Sequence, residues 1–533
     1  MNPHLFFWCL TSALAGFLFG FDTVVISGAE ETIKDLWNLG AGVHGVAVSM
    51  ALWGTVLGAL LGGWPTERIG RKKTLLFIGV LYFVSAVASA YAPEVYSFMF
   101  ARFIGGLGVG ISTVAAPLYI AEIAPAGLRG RLAGMFQFNI VFGILVAFIS
   151  NALLGGVGEN AWRWMLGVEA FPALIYTLLC FGIPESPRWL IAHRGDRSGG
   201  IAVFRRINPK ASAAEIEATA DEIAAGVKDT AGAARFWTAR LRVPIALAFL
   251  IAFFNQLSGI NAVLYFAPRI FSLTGLDRSA ALLQSVGIGA TNLVFTFVGL
   301  YLIDRLGRRT LLFIGSFGYI ASLGLCAWAF FAFAPQFDVA SKAIAVKGLH
   351  EQLETAKDRG AAAGKCREAE RALVAASSRA QYPGRPVAIP EGAEPAAVKA
   401  IAEEALKEAS RLAGAGGAMV LFCIFAFIAA HAVGQGAVIW VFISEIFPNR
   451  NRAAGQALGS FTHWMFAALL TLVFPKVIEA FPPGFIFAFF SFMMVLQLLW
   501  VKLMVPETKG VPLEEMEEKL GIGRSAAGSP DSR

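Results

Sequence analysis

Long apolar runs, separated by short polar stretches, recur along the chain near 5–27, 44–64, 74–92, 96–117, 131–154, 162–183, 243–272, 281–303, 310–334, 416–443, 455–478 and 484–505. A helix of about twenty residues crosses the hydrocarbon of a bilayer, where only an element that satisfies its own backbone hydrogen bonds is tolerated. The pattern therefore predicts twelve membrane-spanning helices. The first run starts at about Leu5 and is too long for the core of a signal peptide, so it counts as the first span.

The polar stretches orient these helices. Lys and Arg gather in alternate loops: Arg68, Arg71, Lys72 and Lys73 after the second span, Arg129 and Arg131 after the fourth, Arg305, Arg308 and Arg309 after the eighth, Arg450 and Arg452 after the tenth. The loops between, such as Tyr91 to Tyr96, are nearly bare. Basic residues favour the cytoplasmic side, which places both termini there. Two segments are longer. Residues 184–242 link the sixth and seventh spans and include an amphipathic stretch, Ala213 to Val227, expected as a short helix on the cytoplasmic surface. Residues 335–415, between the ninth and tenth spans, are expected outside the cytoplasm as two helical segments joined by an extended piece near Pro383 to Pro395. The expected organisation is a six-helix bundle over 1–183, a linker over 184–242, a second bundle over 243–505 interrupted by the 335–415 insertion, and a tail over 506–533.

Composition agrees with this reading and narrows it. Only 15% of residues are charged, against about 25% in an ordinary soluble domain. The net charge of +7 lies in the loop clusters, so it speaks for topology and not for nucleic acid. Cys9, Cys180, Cys326, Cys366 and Cys423 show no CxxC spacing, so neither a disulfide framework nor a metal site is expected, and no cofactor is implied. An enzyme is disfavoured because GxSxG, HExxH and Walker-type patterns are missing. The Gly-rich GGLGVG after Arg102 falls inside an apolar run, where it means close helix packing.

The two halves repeat. RIGRKK at 68–73 returns as RLGRRT at 305–310, EIAPAGLR at 122–129 as EIFPNRNR at 445–452, and PESPRWL at 184–190 as PETKG at 506–510. The later offsets exceed the first by roughly the length of the charged segment 335–415, which locates the extra chain between the ninth and tenth spans. Paired six-helix repeats around a central site are a known transporter plan.

Taken together, GFDTVVISG, RIGRKK, RFIGGLGVG, PLYIAEIAPAGLRGRL, PESPRWL, NQLSGINAVLYFAP, DRLGRR, SEIFP and PETKG make the chain from Gly16 to Gly510, outside the long insertion, resemble the sugar porter family of the major facilitator superfamily. The resemblance implies an all-α membrane protein with twelve transmembrane helices in two six-helix pseudo-symmetric bundles, the major facilitator fold. It further implies import of a monosaccharide (hexose or pentose) or polyol by alternating access across a bacterial inner membrane, with the proton as coupling ion and the lipid bilayer as surroundings. A proton-independent facilitator and a non-transporting sugar sensor stay open as alternatives.

Several residues carry candidate chemistry. Asp22 is a carboxylate inside an apolar run, a costly placement that marks function, and Arg102 is the other ionisable group at comparable depth in the first half. The resemblance implies that they pair and that Asp22 serves proton coupling; a purely structural pair in a facilitator is the competing reading. Gln137, Asn255, Gln256, Asn261 and Asn292 are amides that match sugar hydroxyls, Tyr265 shares a helix face with Asn261, and Ser258 and Gly259 allow local unwinding. To these the resemblance adds Trp440 as a stacking aromatic, with His463 and Trp464. Asn255 stands where many relatives have Gln, GQGAVIW lacks the usual proline, and His463 replaces an amide, so glucose, xylose, galactose, arabinose and inositol are all admitted. His431 and His463 either tune specificity and pH response or are satisfied structural histidines. Glu122 with Arg129 and Glu445 with Arg452 show one seven-residue separation at the cytoplasmic side. With Glu67 (usually Asp), Arg68, Arg71, Glu185, Arg188, Arg305 and Arg308, the resemblance implies a salt-bridge latch that ties the halves together when the cavity opens outward. Surface anchoring alone is the plainer alternative.

Overall fold

A computed structural model describes residues 3–125, 128–209, 211–229, 236–355, 359–379, 387–390, 392–448, 450–511 and 513–522. It contains twelve helices long and apolar enough to cross a membrane. In chain order these are span 1 (Pro3–Gly28), span 2 (Ala41–Leu61), span 3 (Arg71–Ala90), span 4 (Val95–Ile123), span 5 (Gly134–Leu154), span 6 (Ala161–Phe181), span 7 (Ala239–Tyr265), span 8 (Arg278–Leu306), span 9 (Arg308–Ala332), span 10 (Gly414–Glu445), span 11 (Arg452–Ala480) and span 12 (Pro483–Met504). An even number of crossings puts both chain ends, with the 184–242 linker, at one end of the bundle. The insertion lies at the other, and the two ends are called here the terminal and the insertion end.

The apolar runs end where hydropathy falls, yet spans 3 and 9 begin earlier, at Arg71 and Arg308. Carboxylates from elsewhere in the chain accept the free backbone N–H groups of their first turns, so the basic residues become part of the helix. Span 7 is expected as one helix over 243–272 and is instead three pieces, Arg242–Leu257, Ile260–Tyr265 and Ala267–Ser272. The first break falls at Gly259, whose φ of 86° is a left-handed conformation that side-chain-bearing residues avoid. Span 10 also breaks, at Gly434, with φ −84° and ψ −104°.

Spans 1–6 and 7–12 form the two halves. Span 2 packs on span 4 so closely that a Cβ placed on Gly106 would lie 1.9 Å from the Ala51 carbonyl oxygen, which explains the Gly-rich sequence of span 4. Between the halves, span 2 meets span 11 and span 5 meets span 8.

The insertion differs from its expected form. Helices Ala334–Thr355 and Arg359–Arg379 are followed by a stretch without regular structure at 387–390 and then by a helix, Pro395–Val433, that runs unbroken into span 10. Pro395 fits the first turn of a helix, and the Ala-rich sequence after it contains no further proline, so nothing separates the insertion from span 10. The three helices share a small core of their own around Val339, Ala343, Leu373, Val398 and Ala402.

Candidate functional site

Toward the insertion end of the first half, Asp22 of span 1 and Arg102 of span 4 are each 1% exposed. Arg102 Nη1 lies 2.5 Å from Asp22 Oδ1, and Nη2 donates to the Asp22 carbonyl at 2.9 Å. A buried guanidinium is tolerated only when a counter-charge and several acceptors meet it, and Asp22 supplies both. Beside them lies a residue the sequence reading missed. Glu169 of span 6 is also 1% exposed, and its charged neighbours are Asp22 and Arg102. Two carboxyls and one guanidinium carry one excess negative charge when all are ionised, so the cluster is neutral only with one proton aboard. The signal for Glu169 was the one that marked Asp22, a lone acid in an apolar run.

A second cluster occupies the C-terminal half, around the break in span 7. Gln256 Nε2 donates to Asn255 Oδ1 at 2.9 Å, and Asn261 Nδ2 donates to Gln256 Oε1 at 2.6 Å, reaching back across Gly259. Gln256 Nε2 also faces the ring nitrogens of His463 at 3.1 Å. The His463 ring packs on Trp440 (5.2 Å between centroids) and Trp464 (4.7 Å), and Trp464 meets Phe19 of span 1 at 5.4 Å, joining this cluster to the first half. Asn255, Gln256, Asn261, Trp440, His463 and Trp464 are thus brought together. Tyr265, sharing the short helix of Asn261, instead packs against Thr23 and lies in the field of Asp22 and Arg102. Gln137 on span 5 and Asn292 on span 8 make no hydrogen bond to this cluster among the described residues. His431 is satisfied by the Tyr319 hydroxyl at 2.7 Å from its Nδ1.

At the terminal end, each half carries the same clamp. In the first, Arg71 grips Glu122 through Nε (3.0 Å) and Nη2 (2.8 Å), the Ser186 hydroxyl donates to Glu122, and Glu185 accepts the backbone N–H groups of Arg71, Lys72 and Ser186. In the second, Arg308 grips Glu445 (3.1 and 2.8 Å), Thr508 donates to Glu445 at 2.6 Å, and Glu507 accepts from Arg308, Arg309, Thr508 and Lys509. Glu507 was not singled out from sequence, although the PETKG repeat held its position.

These clamps differ from a latch between the halves. Each clamp closes within its own half, because the two arginines open helices whose neighbours in the same half supply the carboxylates. Arg68 and Arg305 lie over the rings of Trp64 (5.4 Å) and Tyr301 (4.0 Å), and Glu67 contributes its carbonyl to Trp189 Nε1. Arg188 is exposed, and neither it nor Arg452 forms an ion pair among the described residues. The Arg129 side chain lies outside those described.

Comparison with known proteins places this arrangement. A family model described as "Sugar (and other) transporter" matches residues 8–347 and 398–520. The chain is 31% identical to a probable inositol transporter of Arabidopsis thaliana, over 97% of this chain and 92% of that protein. It is 29% identical to a D-xylose-proton symporter of Escherichia coli (strain K12), over 97% and 96%. It also superposes on the inward open structure of the E. coli xylose transporter with a TM-score of 0.69 and 28% identity, covering 97% of this chain and 99% of that one.

Proposed function

Because the chain belongs to the sugar transporter family of the major facilitator superfamily, whose members are integral multi-pass membrane proteins and not enzymes, we propose that it imports a monosaccharide or polyol by alternating access, in symport with a proton. The observation that carries the coupling is the buried Asp22–Arg102 pair with the Glu169 carboxyl beside it. A cluster whose neutrality depends on one proton is a natural carrier for one. When the halves rearrange and Arg102 withdraws from Asp22, the buried carboxyls lose their counter-charge, and that loss is what couples the rearrangement to a proton.

The sugar is received by Asn255, Gln256, Asn261 and His463, with Trp440 and Trp464 against the apolar face of the ring, and with Gln137 and Asn292 contributing from the facing helices. The similarity to an inositol transporter and a xylose symporter supports a polyhydroxylated ring of this size. Tyr265 connects the two clusters, since it shares a short helix with Asn261 and touches span 1 one residue from Asp22. The terminal-end clamps hold each half rigid as the halves rock, and the exposed Arg68 and Arg305 beside them engage the opposite half in the outward-facing form.

One proton moved through about 100 mV supplies about 2.3 kcal/mol and one pH unit about 1.4, enough together for an accumulation of several hundredfold. Uptake of a panel of radiolabelled sugars into proteoliposomes, with and without an imposed proton gradient, tests the reading. Asp22→Asn is expected to abolish accumulation while sparing exchange. Uphill uptake unchanged in that variant refutes the coupling, and parent uptake that never passes equilibrium identifies a uniporter.

A further inference from the structure

The sequence motifs concentrate attention on the terminal end, but the ion pair that joins the two halves lies at the other. Between spans 1 and 2 a short helix, Glu30–Leu36, projects toward the second half. Its Lys34 Nζ lies 2.6 Å from Glu479 Oε1 at the end of span 11, the one ion pair between halves among the described residues. Arg269, on the last piece of span 7, approaches the same Glu479 oxygen at 3.8 Å, and Arg278, opening span 8, donates to the Gly28 carbonyl at 3.2 Å.

The neighbouring charges alternate in the same sense. Glu31 lies in the attractive field of Arg269 and Arg278, while burial, reinforced by Glu30, pushes its carboxyl up to about 7. Glu30 is 1% exposed, and its carboxylate lies 2.9 Å from His44 Nε2 of span 2, within its own half. Span 2 touches span 11 directly below, where a Cβ on Gly45 would fall 2.0 Å from the Leu472 carbonyl oxygen. Opening this end must part Lys34 from Glu479 and Arg278 from the Gly28 carbonyl, and it takes Glu31 out of the field of the two arginines, whereas the terminal-end clamps stay intact within their halves.

We propose that Lys34 and Glu479, supported by Glu31 with Arg269 and Arg278, form an electrostatic latch that holds the insertion end closed and thereby sets the balance between the two open forms. These are positioning residues: they act on transport by weighting conformations. Only the consequence for transport rests on the function proposed above; the closure itself does not.

The test reads the seam directly. Spin labels at Val157→Cys and Phe481→Cys, both exposed and on opposite halves at the insertion end, report its width in lipid nanodiscs by pulsed electron resonance; the five native cysteines are all buried. The parent should show mainly the short distance. Lys34→Glu and Glu479→Lys should each raise the long-distance fraction about threefold or more, and the double exchange should recover at least about half of that change. Lys34→Gln, a milder variant that guards against misfolding, should shift the balance less. Raising salt from about 0.05 to about 0.5 M should open the parent more than Lys34→Gln. Unchanged distances in both charge reversals overturn the latch, and so does a double exchange that recovers nothing. No sugar is present in these measurements, so failure of the latch and failure of the transport reading give separate results.

Discussion

Gln256 uses both ends of its amide within the protein, donating to Asn255 and accepting from Asn261, while its remaining donor capacity faces His463. Such an amide is oriented before any ligand arrives, and a polyol that satisfies it gains hydrogen bonds at little cost in order. Gln256→Ala should therefore raise the KM for the transported sugar about tenfold or more, measured as initial uptake in proteoliposomes at equal protein content. Glu169→Gln removes the carboxyl that leaves the buried cluster one charge out of balance. Its uptake should lose most of its dependence on an imposed proton gradient, read as the ratio of rates with and without that gradient. At this scale the sequence was informative wherever a polar residue interrupts an apolar run, which is how Asp22, Gln256 and Asn261 stand out. It could not say which of these meet. Tyr265 and Asn261 share a face by spacing, but one reaches back to Gln256 and the other toward Thr23.

Helix ends explain why a repeated motif survives in two halves. Glu185 and Glu507 are each placed to accept backbone N–H groups at the start of the neighbouring long helix, where unsatisfied donors and the positive end of the helix dipole coincide. The residues before those helices, Gly70 and Gly307, share the same unusual backbone, with φ of 96° and 92°. Glu507→Gln keeps the shape but surrenders the charge, so it should lower stability by about 1 kcal/mol, seen as a lower thermal midpoint in detergent. The repeat in sequence disclosed that these motifs correspond. That each clamp closes on its own half was not legible, because charges at loop positions say which side of the membrane they occupy and nothing about the partner they choose.

For the whole molecule, the insertion and the transport bundle bury separate cores, although one continuous helix joins them. The insertion's core meets the bundle through small residues such as Ala340, which lies against Gly275, so its removal opens little space in the bundle. Replacing residues 338–404 by a short Gly/Ser turn should leave a folded protein whose sugar uptake stays within about twofold of the parent, measured in proteoliposomes; loss of uptake with the fold retained would assign the insertion a part in the cycle. The sequence by itself determined the number of spans, the pairing of the halves, the place of the extra chain and the residues too polar for their surroundings. Each of these follows from the cost of exposing polar groups to hydrocarbon, which acts on one segment at a time. Only the tertiary structure decided that Glu169 joins the Asp22–Arg102 cluster, that span 7 breaks among the amides, and that Lys34 meets Glu479 across the seam. Those outcomes depend on distances between groups far apart in the chain, and no local pattern of hydropathy encodes them.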